Sequence, residues 1–183
     1  MSLYQYGSEI NAFNRSLSTE AFAVSEEFAF VLGRALYWSA VTDGAFDVTI
    51  FPLLFLWGFG PGQETDPLTV FPDKTTVQNK LVHVGYGKLK VVQQTLIKND
   101  PHVRIDLNAI AKGFGVDAVY DYLQSQGVAH MMVEIGGEVR VRGKNQNGHS
   151  WTIAIECPHL SADSERTFDW ICELKGGAVA TSG

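Results

Sequence analysis

A chain of 183 residues predicts one compact domain, or one domain and a remnant, because domains run to roughly 150 residues. Its hydrophobic content of 45% against 19% charged residues supports a sizeable core and excludes a disordered chain. Fourteen basic against twenty acidic side chains leave a net charge of −6, which excludes a broad electrostatic grip on nucleic acid or on an anionic membrane but allows a small anionic ligand at one local site.

The start Met1-Ser-Leu-Tyr4 has no basic segment, and Glu9 arrives before any apolar stretch, so the expectation is a cytoplasmic protein or one whose export segment is missing. Ser25 followed by Glu26 and Glu27 predicts a helix start. Phe28, Val31, Leu32, Ala35, Leu36 and Ser39 continue it at helical spacing to Asp43-Gly44. Phe46, Val48 and Ile50 alternate with polar residues and predict a half-buried strand ending at Pro52. The apolar run from Ile50 to Phe59 contains Pro52 and Gly58 and falls short of the ~20 residues of a membrane span. Residues 58–67 predict a loop, and Pro72-Asp73 a short helix start. Strands are expected at 81–84, 88–92 and 103–107, with Asn99-Asp100-Pro101 as the turn into the last.

Asn108 predicts the cap of a second long helix that presents Ile110, Phe114, Ala118 and Tyr122 and stops at Gly127. Beyond it, strands are expected at 131–135, 138–142, 151–156, 168–173 and 178–181, the first two joined by Gly136-Gly137 as a tight hairpin. The pattern reads as α+β, with mixed or antiparallel sheets packed with a few helices in a single domain over 1–183. Cys157 and Cys172 are too few for a disulfide framework and predict buried thiols rather than a bridge. The five histidines show no metal-ligand spacing, and the four tryptophans are dispersed among apolar neighbours as core residues.

The stretch Arg104-Ile-Asp106-Leu-Asn108-Ala-Ile-Ala-Lys112-Gly-Phe-Gly115 carries the most chemical information. It puts a carboxylate at a strand end, free amides at a helix start and a lysine one turn in, an arrangement suited to an anion. A helix cap with an exposed lysine is the alternative. In Thr42-Asp-Gly-Ala-Phe-Asp-Val-Thr49 a second carboxylate, Asp47, sits at another element boundary, as a ligand contact or as a turn cap.

Several ordered stretches together resemble the ApbE family of FAD:protein FMN transferases: Met1-Ser-Leu-Tyr4, Thr42 to Thr49, Leu56-Trp-Gly-Phe59, Asp106-Leu107 with Ile110-Ala-Lys-Gly113 and Asp117, Ile135-Gly-Gly-Glu138, and Ala180-Thr-Ser-Gly183. The resemblance implies a magnesium-dependent enzyme that splits FAD, leaves FMN on a threonine or serine hydroxyl of an acceptor flavoprotein subunit and releases AMP. It assigns Tyr4, Ala45, Phe46, Asp47, Asp106 and Lys112 to the flavin nucleotide and the Ala109 backbone carbonyl to Mg2+, which requires a distorted first helical turn. Asn108 and Ala109 stand where many relatives carry glycine. The resemblance also implies a periplasmic or inner-membrane lipoprotein, and a chain shortened at both ends, with further metal ligands beyond Gly183 and little transfer by these residues alone. A flavin-binding or FAD-hydrolysing relative and a catalytically inactive fragment are the other readings.

Overall fold

The computed structural model describes residues 1–62, 71–157 and 167–181. The chain divides into two compact units, residues 1–111 and 112–183. The fold is α+β, as expected.

In the first unit, α1 (Glu9–Arg15) starts where the Ser8 side chain accepts from the Asn11 N–H, and it buries Ile10 and Phe13. The strand β1 (Phe22–Ala23) follows, then α2 (Glu26–Val41), whose predicted cap Ser25 accepts from the Phe28 N–H. Glu9 in turn accepts from the Ser25 N–H at 2.6 Å and its hydroxyl at 2.7 Å, so the start of one helix is tied to the start of the next. Phe28, Val31, Leu32 and Ala35 bury one face of α2 with Phe13, Leu96, Val103, Ile105 and Leu107 in the core.

The expected strand at 46–50 does not form. Asp47 takes the Thr49 N–H at 2.8 Å and its hydroxyl at 2.6 Å, which curls residues 48–50 into a single 3-10 turn. Pro52 then sits in the first turn of α3 (Phe51–Leu56), where its missing N–H costs nothing. The helix expected from Pro72-Asp73 is α4 (Lys74–Leu81), with Asp73 as its cap. Leu81 closes that helix, and turns at His83 and Val84 replace the strand expected at 81–84. Of the expected 58–67 loop, residues 63–67 lie outside the described residues.

The strands β2 (Leu89–Val92) and β3 (Thr95–Lys98) form a hairpin turned at Gln93, and β1 pairs antiparallel with β3 on its other side. Residues 103–107 are not a ladder strand. Val103, Ile105 and Leu107 are fully buried, as the alternation predicts, but the backbone bonds go elsewhere. The Asn14 amide accepts from the Ile105 N–H and donates to its carbonyl, both at 2.8 Å. A side chain thus supplies what a neighbouring strand would.

In the second unit, α5 (Asn108–Ser125, which begins in the first unit) packs Val116 and Tyr120 against Met131 and Val133. This corrects the expected face: Tyr122 is 64% exposed. Helix α5 carries apolar residues on several sides, so spacing alone does not choose one. The strands β4 (Met131–Ile135), β5 (Glu138–Arg142) and β6 (Trp151–Glu156) stand where predicted. Gly136 and Gly137 both have positive φ, at 58° and 94°, as a two-residue hairpin turn demands. β7 (Phe168–Leu174) pairs with β6, and β8 (Gly176–Val179), two residues earlier than expected, pairs with β5, all antiparallel. Cys157 and Cys172 are free thiols, half-buried rather than buried, and Cys157 Sγ lies 2.9 Å from Asp169 Oδ1. Among the described residues no helix is long and apolar enough to cross a membrane.

Candidate functional site

The segments that carry two of the sequence-derived carboxylates are joined by their backbones in the first unit. The Asp106 N–H donates to the Val48 carbonyl at 2.8 Å, which lays the 103–107 segment beside the turn that carries Asp47. The burial of Val103, Ile105 and Leu107 puts Arg104 and Asp106 on the opposite, accessible side of the same extended segment. Asp106 accepts from the Asn108 N–H at 2.6 Å and its side-chain amide at 3.3 Å. Burial raises the Asp106 carboxyl above the ordinary aspartate value against the lowering effect of those two bonds.

Asp47 is occupied on both oxygens. Besides Thr49, it accepts from the Tyr86 N–H at 2.8 Å, while Thr49 Oγ1 accepts from the Gly85 N–H at 2.7 Å. The turn-capping alternative is therefore present in the structure, and it also fixes the 85–86 corner. Asp43 and Gly44, with φ of 51° and 80°, reverse the chain out of α2, and Thr42 holds the Ala45 and Phe46 N–H groups through its carbonyl and hydroxyl. Tyr4 is 70% exposed beside the buried Leu3, whose carbonyl accepts from the Asn11 side chain at 2.8 Å. With Tyr6, Arg15, Phe51, Phe55 and Arg104 it lines a hollow of ≈ 360 Å³. The two arginines and the two phenylalanines escaped the sequence reading. Arg104 alone carried a signal, two positions before Asp106 on the same face.

In the second unit, Lys112 Nζ donates to the Gly136 carbonyl at 2.9 Å and pairs with Glu138 Oε2 at 2.7 Å. The lysine is thus held by the glycine hairpin, not free at the surface. A Cβ on Gly136 would come within 3.2 Å of the flexible Lys112 side chain, which would have to give by a few tenths of an ångström, while the positive φ itself favours glycine. Asp117 pairs with Arg140 at 2.7 Å, and the Arg140 guanidinium lies 3.8 Å from the centre of the Tyr120 ring.

Magnesium needs several oxygen ligands in near-octahedral order. Among the described residues no group of three or more His, Cys, Asp or Glu side chains could hold a metal ion. The first turn of α5 is tightened, since Leu107 O accepts from both Ile110 and Ala111 N–H groups at 3.0 and 2.8 Å. The Ala109 carbonyl that follows is one ligand at most. The described residues do not by themselves fit the ion.

Compared with known proteins, the chain is 44% identical over 183 residues to an FAD:protein FMN transferase of Vibrio cholerae serotype O1, covering 100% of this chain and 53% of the relative. It is 38% identical over 188 residues to one of Haemophilus influenzae, with the same coverage. Among solved structures, flavin transferase ApbE from Vibrio cholerae matches with TM-score 0.87 and 45% identity, over 100% of this chain and 57% of that one. The apo form of Pseudomonas stutzeri flavinyl transferase ApbE matches with TM-score 0.85 and 33% identity, over 100% and 55%. The chain spans about half the length of the curated relatives it matches. The family pattern covers residues 1–183, and the chain belongs to the ApbE family.

Proposed function

We propose that this chain carries flavin-nucleotide binding for an FAD:protein FMN transferase. One observation carries the reading: relatives named for that activity align with all 183 residues at up to 44% identity. The reaction joins the oxygen of an acceptor threonine or serine to the FMN phosphorus, breaks the pyrophosphate P–O bond, releases AMP and frees the hydroxyl proton.

In this reading each residue has a task. Tyr4 offers an exposed ring face to the flavin nucleotide. Asp106, with no cation among its hydrogen-bond partners in the described residues, accepts from a ring N–H or a sugar hydroxyl. The Ala45-Phe46-Asp47 turn is tied to the Asp106 backbone through the adjacent Val48 carbonyl, and in this reading Ala45 and Phe46 contact the nucleotide while Asp47 sets the turn. Lys112, held by Gly136 and Glu138, supplies positive charge for a phosphate. Magnesium dependence belongs to the same reading, with no more than the Ala109 carbonyl contributed by the described residues, and so does a lipid-anchored periplasmic or inner-membrane location.

Two measurements test it. Flavin fluorescence should show saturable FAD binding to the 183-residue chain, weakened in Asp106→Asn, where the amide can still accept from the Asn108 N–H. For transfer, residues 1–183 replace the matching stretch of the Vibrio cholerae flavin transferase, and an acceptor with a target threonine is followed by intact mass in the presence of FAD and magnesium. A cooperatively folded chimera that binds FAD yet leaves the acceptor mass unchanged would falsify the transferase reading. Free FMN and AMP without acceptor modification would replace it with FAD hydrolysis.

A further inference from the structure

Beside the Tyr4 hollow, and sharing Phe51, Phe55 and Arg104 with it, the first unit has a larger cavity, of ≈ 550 Å³, also walled by Lys80, His83 and His102 among others. That volume lies within the roughly 300–1,000 Å³ common to small-molecule sites. Its charge runs against that of the molecule. The chain is acidic overall, at −6, yet no acidic side chain is among the described residues that line this cavity. Lys80 and Arg104 have no ion-pair partner among the described residues.

The two histidines are arranged by a third residue. Asp100 accepts from Lys88 Nζ at 3.2 Å and from the His102 N–H at 2.9 Å, and lies 2.8 Å from His83 Nδ1. Burial would raise its carboxyl, but the bonds from His83, His102 and Lys88 outweigh that and lower it to about 2, so it is ionised at neutral pH. An ionised carboxylate only accepts, and His83 Nδ1 therefore carries the proton. That leaves Nε2 as the ring nitrogen that can accept a hydrogen bond from a ligand. The rings of His83 and His102 stand 4.8 Å apart and bring the second imidazole to the same wall.

We infer that this cavity binds a phosphate monoester with a flat apolar organic part, its phosphate held by Arg104, Lys80 and the His83–His102 pair and its ring laid against Phe51 and Phe55. Two permanent cations and two imidazoles exceed what one carboxylate can use, whereas a phosphate has three terminal oxygens and a proton of its own to exchange with His83. The aromatic wall supplies area for a ring. The inference does not depend on the flavin reading.

The test follows the imidazole C2 proton resonances of the five histidines while phenyl phosphate is added to the 183-residue chain, with His83→Gln and His102→Gln to assign them. Saturable shifts confined to His83 and His102 are expected. Lys80→Ala, checked for an unchanged melting transition, should weaken binding about tenfold or more, and inorganic phosphate should bind more weakly than phenyl phosphate. Because Phe51, Phe55 and Arg104 line both hollows, FAD at saturation should lower the phenyl phosphate affinity by no more than a few-fold and should not displace it. Absent shifts, equal shifts at His130, His149 and His159, an unaltered affinity in folded Lys80→Ala, or equal affinity for inorganic phosphate would each overturn the inference. Competitive displacement by FAD would overturn it as well, by making the cavity part of the flavin site. A chain that binds phenyl phosphate but no FAD would refute the flavin reading alone.

Discussion

In residues 1–111 two buried polar side chains find partners far along the sequence. Asn14 closes both backbone groups of Ile105, 91 residues away, and the buried Lys98 donates to Ser16 O, 82 residues away, and to Val103 O. Burial lowers the Lys98 ammonium, helped by the nearby Arg104 charge, and the Phe13 ring 4.7 Å from it completes the site. In residues 112–183 the bonds are mostly ladder bonds between neighbouring strands, and β7 leaves Phe168, Trp170 and Ile171 more than half exposed. The first unit is joined by side chains that reach 82 and 91 residues along the chain, the second mainly by backbone ladders, whose longest reach, Val139 to Val179 between β5 and β8, is about half of that. The same substitution should therefore weigh very differently in the two.

The largest effect belongs to the first core. Phe28 is fully buried, and Phe28→Ala should cost about 3–5 kcal/mol, as removal of a large aromatic from a packed core does. Trp170→Ser, at a position 65% exposed, should stay within about 1 kcal/mol. Urea unfolding of both variants checks the contrast, and similar losses would show that the β6–β7 hairpin is as tightly specified as the helical core.

Asn14→Ala sharpens the comparison next. It removes one side chain but strands a buried N–H and a buried C=O of Ile105, so a loss of about 2–4 kcal/mol is expected. Asn14→Leu, which matches the volume, should not restore it. A rescue by leucine would mean that packing, not the two hydrogen bonds, holds residues 103–107 in place.

The strands of the second unit were the more legible ones, apart from β8, which is placed by its pairing with β5 more than 30 residues away. The ranges 131–135, 138–142 and 151–156 can be read to the residue, because alternation and the Gly136-Gly137 turn act within a few positions. The failures lie where distant partners decide. Residues 46–50 alternate as a strand would, but Asp47 answers to Thr49 and to Tyr86, 39 positions on, and residues 103–107 pair with a side chain of α1 rather than with a strand. The site divides in the same way. Asp47 and Asp106 stood out as carboxylates at element boundaries, whereas the Val48 to Asp106 bond that joins them, and the contribution of Arg104, Phe51 and Phe55 to one hollow, exist only after folding.

Asp47→Asn measures how far that corner depends on charge. An asparagine oxygen can still accept from Thr49, but its amide would face the Tyr86 N–H donor, and one of the three bonds is lost. The expected loss is about 1–2 kcal/mol, with FAD affinity falling in the variant because the turn beside Asp106 loosens. Unchanged stability with reduced FAD affinity would instead make Asp47 a direct ligand contact.

The smallest effect on stability, and the cleanest separation of fold from function, is expected at Lys112. Its side chain is 45% exposed and that of its partner Glu138 15%, so the pair is partly screened by solvent and salt. Lys112→Ala should therefore lower stability by no more than about 1 kcal/mol, and by less at high salt. If the lysine charge serves a phosphate, as proposed, the same variant should weaken FAD binding by about tenfold or more, since a charged hydrogen bond to the ligand is worth more than a screened ion pair within the fold. Lys112→Arg keeps the charge but spreads it over a wider planar group beside Gly136, where the lysine stem already fits closely, so it should recover only part of the affinity. Urea unfolding at low and high salt and an FAD titration on the three proteins decide it. Equal FAD affinities would remove Lys112 from the ligand and leave it as the brace that ties helix α5 to the Gly136-Gly137 hairpin within the second unit.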